Sequence, residues 1–269
     1  MKKAFVMMTA LAFWGIYGCA TSPPSVSSAD GLDQGDRELK RGIYWYHKGC
    51  TDKALDHLQA AHENYCLTDQ QTGVARSLIS LANLYRQAGN TGNAMLFYDA
   101  AISAARRCDD QTVTAQALSN KAAVLINSGE LSAAEVLLDE AQLLSREAGP
   151  VFATVLNHQA VLLMKEQRYD DAATLLDQAE SAATGNSYYA GAAIRFTRGR
   201  LMMRTGDYPQ ALTLFRQAQE LDRQAGYARG MADDLEAMAD IHEQLGQDEA
   251  SLDCLDRSIK IHALTDNRK

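Results

Sequence analysis

Small and large hydrophobic positions recur in this chain in a fixed order. The clearest marker is a small residue, and successive markers lie 38 to 40 positions apart, at Ala54, Ala94, Ala134, Ala172, Ala211 and Ser251. A bulky residue follows each marker by four positions, and a small residue follows each by seven. These spacings place the side chains on one face of an α-helix. The pattern therefore predicts a helix that begins near each marker.

A second set of positions precedes each marker. Twelve residues before it stands a small residue, where two helices can approach closely, and nine before it stands a large one. Five residues before the marker a glycine recurs at Gly49, Gly89, Gly129, Gly206 and Gly246, and Gln167 takes its place in the fourth unit. Glycine adopts the left-handed backbone that ends a helix at little steric cost. Each unit is therefore predicted to be two amphipathic helices joined at this position.

This order of positions resembles the tetratricopeptide repeat over roughly residues 35–264. The usual repeat has about 34 residues, so the longer units here are similar to the long-repeat branch that includes kinesin light chain. Ser80-Leu81-Ala82-Asn83-Leu84-Tyr85 and residues 156–163 resemble the first helix of that branch. The resemblance implies an all-α fold, a right-handed superhelix (α-solenoid) of six helix-turn-helix repeats. It also implies peptide or protein binding without a reaction.

The segment before the repeats predicts export. Lys2 and Lys3 precede an uncharged, mostly apolar run from Ala4 to Gly18, which is shorter than the roughly 20 residues of a membrane-spanning helix. The run ends in Ile16-Tyr17-Gly18-Cys19, which resembles the lipobox of bacterial lipoproteins. That resemblance implies a signal peptide over residues 1–18 and acylation of Cys19. An ordinary signal peptide with a chance cysteine is the alternative.

The residues after Cys19 suit a tether between a lipid and a folded domain. Residues 19–34 are rich in proline and serine at first and lack an apolar period, and the repeats are expected to fill 35–269. Ala20 stands where enterobacterial lipoproteins kept in the inner membrane have aspartate, so the resemblance implies the outer membrane, with the inner membrane as the alternative. The expected location is the cell envelope, facing the periplasm.

Composition and net charge exclude some classes of binding partner. The chain is 46% hydrophobic and 22% charged, as is ordinary for a globular protein, and removing Lys2 and Lys3 with the signal would take its net charge from −8 to −10. This balance argues against nucleic acid or anionic lipid as a general partner. We find no pattern typical of a phosphate loop, a nucleophile elbow or a zinc helix, so the sequence predicts no enzyme, no cofactor and no metal.

Four cysteines follow Cys19, in a compartment where disulfides persist. Cys66 and Cys108 stand near the ends of second helices in adjacent units, so they are the pair that the sequence favours for a disulfide, provided that their Cα atoms lie within about 7 Å. Cys50 lies at the opposite end of the first hairpin, and Cys254 reads as a half-buried helix thiol.

In the tetratricopeptide fold the first helices line a concave groove, and the exposed positions on them give its side chains. The predicted partner-binding residues are Arg76, Asn83, Arg86, Asn120, Asn127, Asn157, His158, Lys165, Arg200 and Arg204. Their positive charge would attract carboxylates, and their amides can bond an extended peptide. The resemblance implies an asparagine ladder of this kind. Each residue could equally be an ordinary soluble side chain on an open face.

The two ends of the array differ from its middle. Unit six reverses the charge of the concave face, because its first helix has Asp233, Glu236, Asp240 and Glu243. The sequence therefore predicts a partner that is acidic over its middle and basic at one end. In unit one Trp45 is a packing residue, whereas Tyr46 and His47 should face the entrance of the groove. These two residues would either anchor a ligand or form the polar cap of the array.

Three classes of function compete. The leading one is a lipid-anchored scaffold or adaptor that binds an envelope protein in its groove. The alternative is a periplasmic lipoprotein that senses a small ligand or glycan, which would need a deep aromatic pocket. An enzyme would need a constellation across the groove, for instance around His158 and Lys165, and no carboxylate of the middle groove orients the histidine. A homodimer through the ends of the array is also open.

Overall fold

The twelve described helices form six consecutive helix-turn-helix pairs. The computed structural model describes the backbone of residues 28–145, 149–183 and 187–266, and these ranges contain no strand. Each helix packs on its neighbours in the chain, which gives an all-helical solenoid. The helices are α1 (Ser28–His47), α2 (Thr51–Leu67), α3 (Gln71–Gln87), α4 (Thr91–Arg107), α5 (Gln111–Ser128), α6 (Leu131–Ser145), α7 (Pro150–Lys165), α8 (Tyr169–Ala182), α9 (Tyr188–Thr205), α10 (Tyr208–Ala225), α11 (Ala228–Gln244) and α12 (Asp248–Asp266).

The marker and bulky positions of the predicted repeat form the hydrophobic core. In the first five units the marker residue and the bulky residue four positions after it are 0% exposed, at Ala54 and Leu58, Ala94 and Tyr98, Ala134 and Leu138, Ala172 and Leu176, and Ala211 and Phe215. The small positions in the first helices are small for a steric reason. A Cβ atom on Gly199 would lie 2.8 Å from the Phe215 ring. Close packing between the two helices of a unit therefore requires this pattern.

The predicted turns between the paired helices are confirmed by the backbone. All five turn glycines have positive φ, and Gln167 has the same left-handed conformation with φ 63°. A second row of left-handed residues joins one unit to the next, at Asp69, Asp109, Gly149 and Gly226. Aspartate tolerates this conformation better than most residues with a side chain. The sequence analysis identified the first row and missed the second.

The helical array begins earlier than the sequence predicted. Helix α1 starts at Ser28, inside the segment assigned to the tether. This part of the sequence is rich in acidic residues, which favour the first turns of a helix because of its dipole. The predicted signal peptide (1–18) and Cys19 lie outside the described residues. None of the helices that the structure describes combines the length and apolar content of a membrane span.

The cysteines of the repeats are unpaired with one another in the structure. Cys66 and Cys108 are both free and exposed. The Cys66 Sγ lies 3.6 Å from His62 Nε2, whereas the Cys108 Sγ lies 3.5 Å from Thr72 Oγ1. The two thiols thus contact different neighbours, and the structure does not join them in the disulfide that the sequence favoured. Cys50 and Cys254 are buried and also free, as expected for Cys254.

The left-handed turn at Gln167 gives a test of backbone strain. A residue with a side chain costs about 1–2 kcal/mol in this left-handed conformation. Replacing it by glycine removes this strain, but part of the gain is lost because glycine has more conformational freedom in the unfolded chain. We expect Gln167→Gly to raise the free energy of unfolding by about 0.5–1 kcal/mol in urea titrations. The matched control is Gly129→Gln, because φ is 86° there and no atom lies within 4 Å of an added Cβ. A neutral Gly129→Gln variant would contradict this account of the turns.

Candidate functional site

An aromatic contact joins the first unit to the last two. Tyr46 at the end of α1 stacks on Tyr227 before α11, with ring centroids 6.2 Å apart. His47 stacks on Tyr189 at the start of α9, at 5.5 Å, and Tyr189 lies 5.1 Å from Tyr227. Units two to four lie between these residues in the chain, so the solenoid curves far enough for its ends to meet. The concave face is thereby partly enclosed.

This contact shows where Tyr46 and His47, whose role the sequence left open, are placed in the fold. Tyr46 is 8% exposed and packs into the core, so it is not a free side chain at the entrance of a groove. The rings of Tyr46, Tyr189 and Tyr227 lie in contact with one another. Burial, followed by the neighbouring phenols, raises the pKa of Tyr189 and of Tyr227. Tyr189 and Tyr227 are therefore neutral at physiological pH.

Two adjoining cavities lie inside the curve. One has a volume of about 270 Å³ and the other of about 280 Å³, and both are lined by Asn83, Gln116 and Tyr189. Arg86, Asn120, Asn157 and His158 line the first cavity, and Arg76 lines the second. Six of the ten predicted partner-binding residues thus surround one region. We call these two cavities together the central cavity.

A chain of hydrogen bonds crosses the wall of the central cavity. Tyr98 lies beside Arg86, and its hydroxyl donates to Asn83 Oδ1 at 2.5 Å. The Asn120 Nδ2 donates to the same oxygen at 3.3 Å. Asn83 is therefore held by the protein itself, and its carbonyl oxygen is already occupied. Asn83, Tyr98 and Asn120 therefore form one network within the protein, in which Asn83 acts mainly on its neighbours.

Arg86 supplies the positive charge of this wall. Burial by itself would lower the pKa of the guanidinium, but the negative charges that Tyr98 and three other nearby tyrosines carry once they are ionised outweigh burial and raise it. The same site keeps His158 neutral. Burial, followed by the charge of Arg86, lowers the pKa of His158 to about 4. His158 Nδ1 lies 2.7 Å from Ser119 Oγ, so one ring nitrogen is occupied.

Asn157 has an unused acceptor. The residue is 5% exposed, and its Oδ1 atom has no hydrogen-bond partner among the described residues. A buried amide oxygen without a partner costs about 1–3 kcal/mol. Since Asn157 lines the central cavity, an N–H group of a ligand could satisfy it. The site thus offers a cation at Arg86 and an acceptor at Asn157.

The remaining predicted residues lie elsewhere. Lys165, Arg200 and Arg204 line a separate depression of about 220 Å³ between α7 and α9. Burial, followed by the charge of Arg204, lowers the pKa of Arg200. Asn127 is exposed and lines none of these cavities. Because His158 and Lys165 border different cavities, the structure does not assemble the pair that an enzyme would have needed.

The sequence analysis missed a buried acidic cluster between units five and six. Asp234 in α11 is 0% exposed and neither of its carboxylate oxygens has a partner in the described part of the chain, and Asp222 in α10 is 6% exposed. Gly230 makes room for this pair, since an added Cβ would lie 1.9 Å from Asp222 Oδ2. Asp233, which was predicted to face a partner, instead pairs with Arg229 at 3.0 Å.

A signal for this cluster was present in the repeat pattern. Gly73 and Gly230 occupy the same place in their units, and Gly73 makes room for the ring of Tyr65 as Gly230 does for Asp222. Comparing the two positions would have placed Asp222 in the core. Among the described residues, no group of histidine, cysteine, aspartate or glutamate has the arrangement of a metal site.

Sequence models of the tetratricopeptide repeat match residues 75–108, 151–224 and 189–263. The chain contains tetratricopeptide repeats. Among curated proteins, none matches it in sequence. The matched units include the walls of the central cavity on α3, α7 and α9.

Solved structures are similar in fold. A Rap protein complexed with competence and sporulation factor has a TM-score of 0.65 and 15% identity, over 89% of this chain and 78% of that one. The Rap conjugation gene regulator of plasmid pLS20, in complex with the Phr* peptide, has a TM-score of 0.65 and 13% identity, over 94% and 80%. BtubC from P. vanneervenii has a TM-score of 0.54 and 15% identity, over 89% and 93%. At these identities the likeness shows the tetratricopeptide fold alone.

The acidic cluster predicts a pH-dependent interface between units five and six. Burial, followed by neighbouring carboxylates, raises the pKa of Asp222 to about 7 and of Asp234 to about 9. The unfolded values are about 3.9, so the folded chain keeps protons that the unfolded chain releases. The resulting stabilisation is complete below about pH 4 and is lost as the pH rises through 7 and 9.

We therefore compare the free energy of unfolding of Asp234→Asn with that of the wild type. We expect this difference to shift in favour of the variant by about 1–3 kcal/mol from pH 5 to pH 8.5. His158 contributes with the opposite sign, because its pKa is lowered, but it is common to both proteins and cancels in the difference. Urea titrations at each pH measure the effect, with Asp240→Asn as a control at an exposed position of the same helix. A pH-independent difference would contradict the buried pair.

Proposed function

We propose that the protein is a membrane-anchored bacterial lipoprotein that serves as an interaction scaffold or adaptor in the cell envelope. Its repeats would hold an extended peptide segment of an envelope protein in the central cavity. The observation that carries this proposal is the pairing of Arg86 with the unsatisfied oxygen of Asn157 in one concave site. The two Rap structures that share the fold contain a bound factor or peptide by their own descriptions, which supports the same use here.

The chemistry of the site indicates which segment would fit. Arg86 is charged and lies among neutral tyrosines, so a carboxylate of the ligand would meet a guanidinium away from bulk water. Asn157 Oδ1 would accept a main-chain N–H of the same segment. Pre-organisation lowers the entropy lost on binding, and the hydrogen bonds from Tyr98 and Asn120 to Asn83 provide it. We infer binding without catalysis, as is general for this repeat.

A small ligand or glycan is the second candidate, and the structure favours it more than the sequence did. Tyr46, His47 and Tyr189 line the part of the central cavity whose volume is about 280 Å³. Aromatic rings beside polar groups are typical of small-molecule sites, although most such pockets are somewhat larger, at about 300–1,000 Å³. The repeat pattern does not predict contact between these rings, because they belong to different units.

Affinity capture from membranes followed by mass spectrometry tests the site. Arg86→Met removes the guanidinium but keeps an apolar stem, so we expect it to reduce recovery of the partner at least tenfold, which corresponds to about 1.4 kcal/mol. Arg216→Met is the matched control, because Arg216 is exposed on the second helix of unit five. Equal recovery with both variants would exclude the central cavity as the binding surface. A small molecule released from the purified native protein on denaturation would favour the second candidate.

The anchor has its own test. We propose from the sequence that Cys19 is acylated. We also propose that the lipid holds the repeats at the outer membrane rather than at the inner one. We expect Cys19→Ser to abolish incorporation of radiolabelled palmitate and to reduce the membrane-bound fraction, because an acyl chain supplies about 0.8 kcal/mol per buried methylene. Cys66→Ser is the control, as a thiol in the repeats. Unchanged labelling of the Cys19→Ser protein would sink the lipoprotein assignment, and density-gradient separation would tell the two membranes apart.

A further inference from the structure

The depression between α7 and α9 carries only positive charge. Its volume is about 220 Å³, and Lys165, Arg200 and Arg204 line it together with five uncharged residues. No acidic residue of the described chain lines it. None of the three cations forms an ion pair or a side-chain hydrogen bond with another described residue. We call this site the basic depression.

Other cations close to the basic depression do have a counter-charge. Arg198, also on α9, lies 2.7 Å from Asp177 of α8. Glu166 follows Lys165 in the chain, but it pairs with Arg168 at 3.4 Å. These carboxylates neutralise arginines outside the basic depression. The three cations inside it are therefore left without a carboxylate among the described residues.

Like charges in one small space are unfavourable by themselves. Burial, followed by the charge of Arg204, lowers the pKa of Arg200. Arg200 nevertheless stays charged at physiological pH, because the guanidinium is not deprotonated in proteins. An anion between the two arginines would remove their repulsion and accept charge-assisted hydrogen bonds from both. The charges of the basic depression thus favour an anionic ligand.

One residue of the basic depression departs from the repeat pattern. Gln167 lines the site, and its backbone is left-handed with φ 63°, at the position where the other five units have glycine. A side chain adds strain in this conformation, and such strain is characteristic of functional sites. The Gln167 amide makes no hydrogen bond with another described residue. It can therefore donate to the same anion as the three cations.

The remaining wall indicates the class of anion. Val161, Met164 and Tyr169 line the basic depression beside the cations, so an organic group would have an apolar surface to contact. A phosphate monoester carries a charge of about −1.5 to −2 at neutral pH and has three strong acceptor oxygens. A carboxylate has one charge on two oxygens. Three cations and an amide donor match the phosphate monoester better.

We propose that the basic depression binds a phosphate monoester, with the phosphate group among Lys165, Arg200 and Arg204 and the organic group against the apolar wall. Gln167 donates a further hydrogen bond to the phosphate. The site is distinct from the central cavity, although α7 and α9 line both. Ester binding and peptide binding can therefore fail independently of one another.

Isothermal titration of the full chain in mild detergent tests the ligand class, with phenyl phosphate as the probe. We expect a Kd on the order of 100 µM. Benzenesulfonate has the same ring and three oxygens but a single charge, so it should bind about tenfold more weakly. Inorganic phosphate should also bind more weakly, because it lacks the ring. Equal affinity for phenyl phosphate and either comparison ligand, or no binding of phenyl phosphate below about 10 mM, overturns the proposal.

The source of the ester needs a separate titration. Dihexanoyl phosphatidic acid presents the same phosphate group on a lipid that is soluble as a monomer. Tighter binding of this lipid than of phenyl phosphate identifies a membrane headgroup, whereas tighter binding of phenyl phosphate identifies a soluble ester. Either order supports the phosphate site.

Variants test the residues. Arg200→Met should weaken phenyl phosphate binding about tenfold, and it should not lower the urea midpoint, because it removes a repulsion. Lys165→Met tests the same charge at an exposed position. Arg198→Met is the matched control on α9 and should keep the affinity within about twofold, because its guanidinium already pairs with Asp177. Unchanged affinity in both the Arg200→Met and the Lys165→Met proteins contradicts the site.

Two further variants separate this site from the turn and from the central cavity. Gln167→Gly should weaken phenyl phosphate binding about threefold while it raises the urea midpoint, because it removes both the amide and the backbone strain. A more stable Gln167→Gly protein with full affinity would exclude Gln167 as a ligand contact. Arg86→Met should leave the affinity for phenyl phosphate unchanged, and a tenfold loss would place the ester in the central cavity instead.

Discussion

The contact on which the array depends is the one between the bulky residue that follows each marker and the unit that comes next. Leu58, Tyr98, Leu138, Leu176 and Phe215 are all fully buried, whereas Leu255, which no further unit covers among the described residues, is 39% exposed. Burying such a side chain contributes about 1.5–3 kcal/mol. The stability of the solenoid is therefore a sum of neighbouring interfaces, and each interface also fixes the rotation from one unit to the next.

The accumulated rotation creates the site. No single interface brings α1 near α9 or α11, but five of them together bring Tyr46 to Tyr227 and His47 to Tyr189. The central cavity is a consequence of that curvature. Its polar wall is then inside the molecule, where Arg86 meets neutral phenols and His158 remains uncharged. Electrostatic interactions are stronger there than they would be in an open groove, because less water screens them.

Two places in the repeats depart from the ordinary pattern, and both lie towards the C-terminal end of the described chain. A pair of carboxyls, Asp222 and Asp234, lies in the packed interface between units five and six. Tyr65 and Ser77 occupy the equivalent positions between units one and two. On α12 the side chain of Leu255 is partly exposed, because no further unit covers it among the described residues. One departure weakens an interface as the pH rises, and the other leaves an apolar side chain partly in water.

The sequence by itself determined the helices, the turn at each glycine and the residues of the core, because these follow from local periodicity and repeat six times. It also identified Arg86, Asn120, Asn157 and His158 as residues of the concave face. It could not show that Asn83 is bonded to Tyr98 and Asn120, that Tyr46 meets Tyr227, or that Asp234 is buried. Those contacts join different helices or units, and their geometry depends on the summed angles between units. Local spacing fixes each angle only loosely, so the tertiary structure decided where the ends meet.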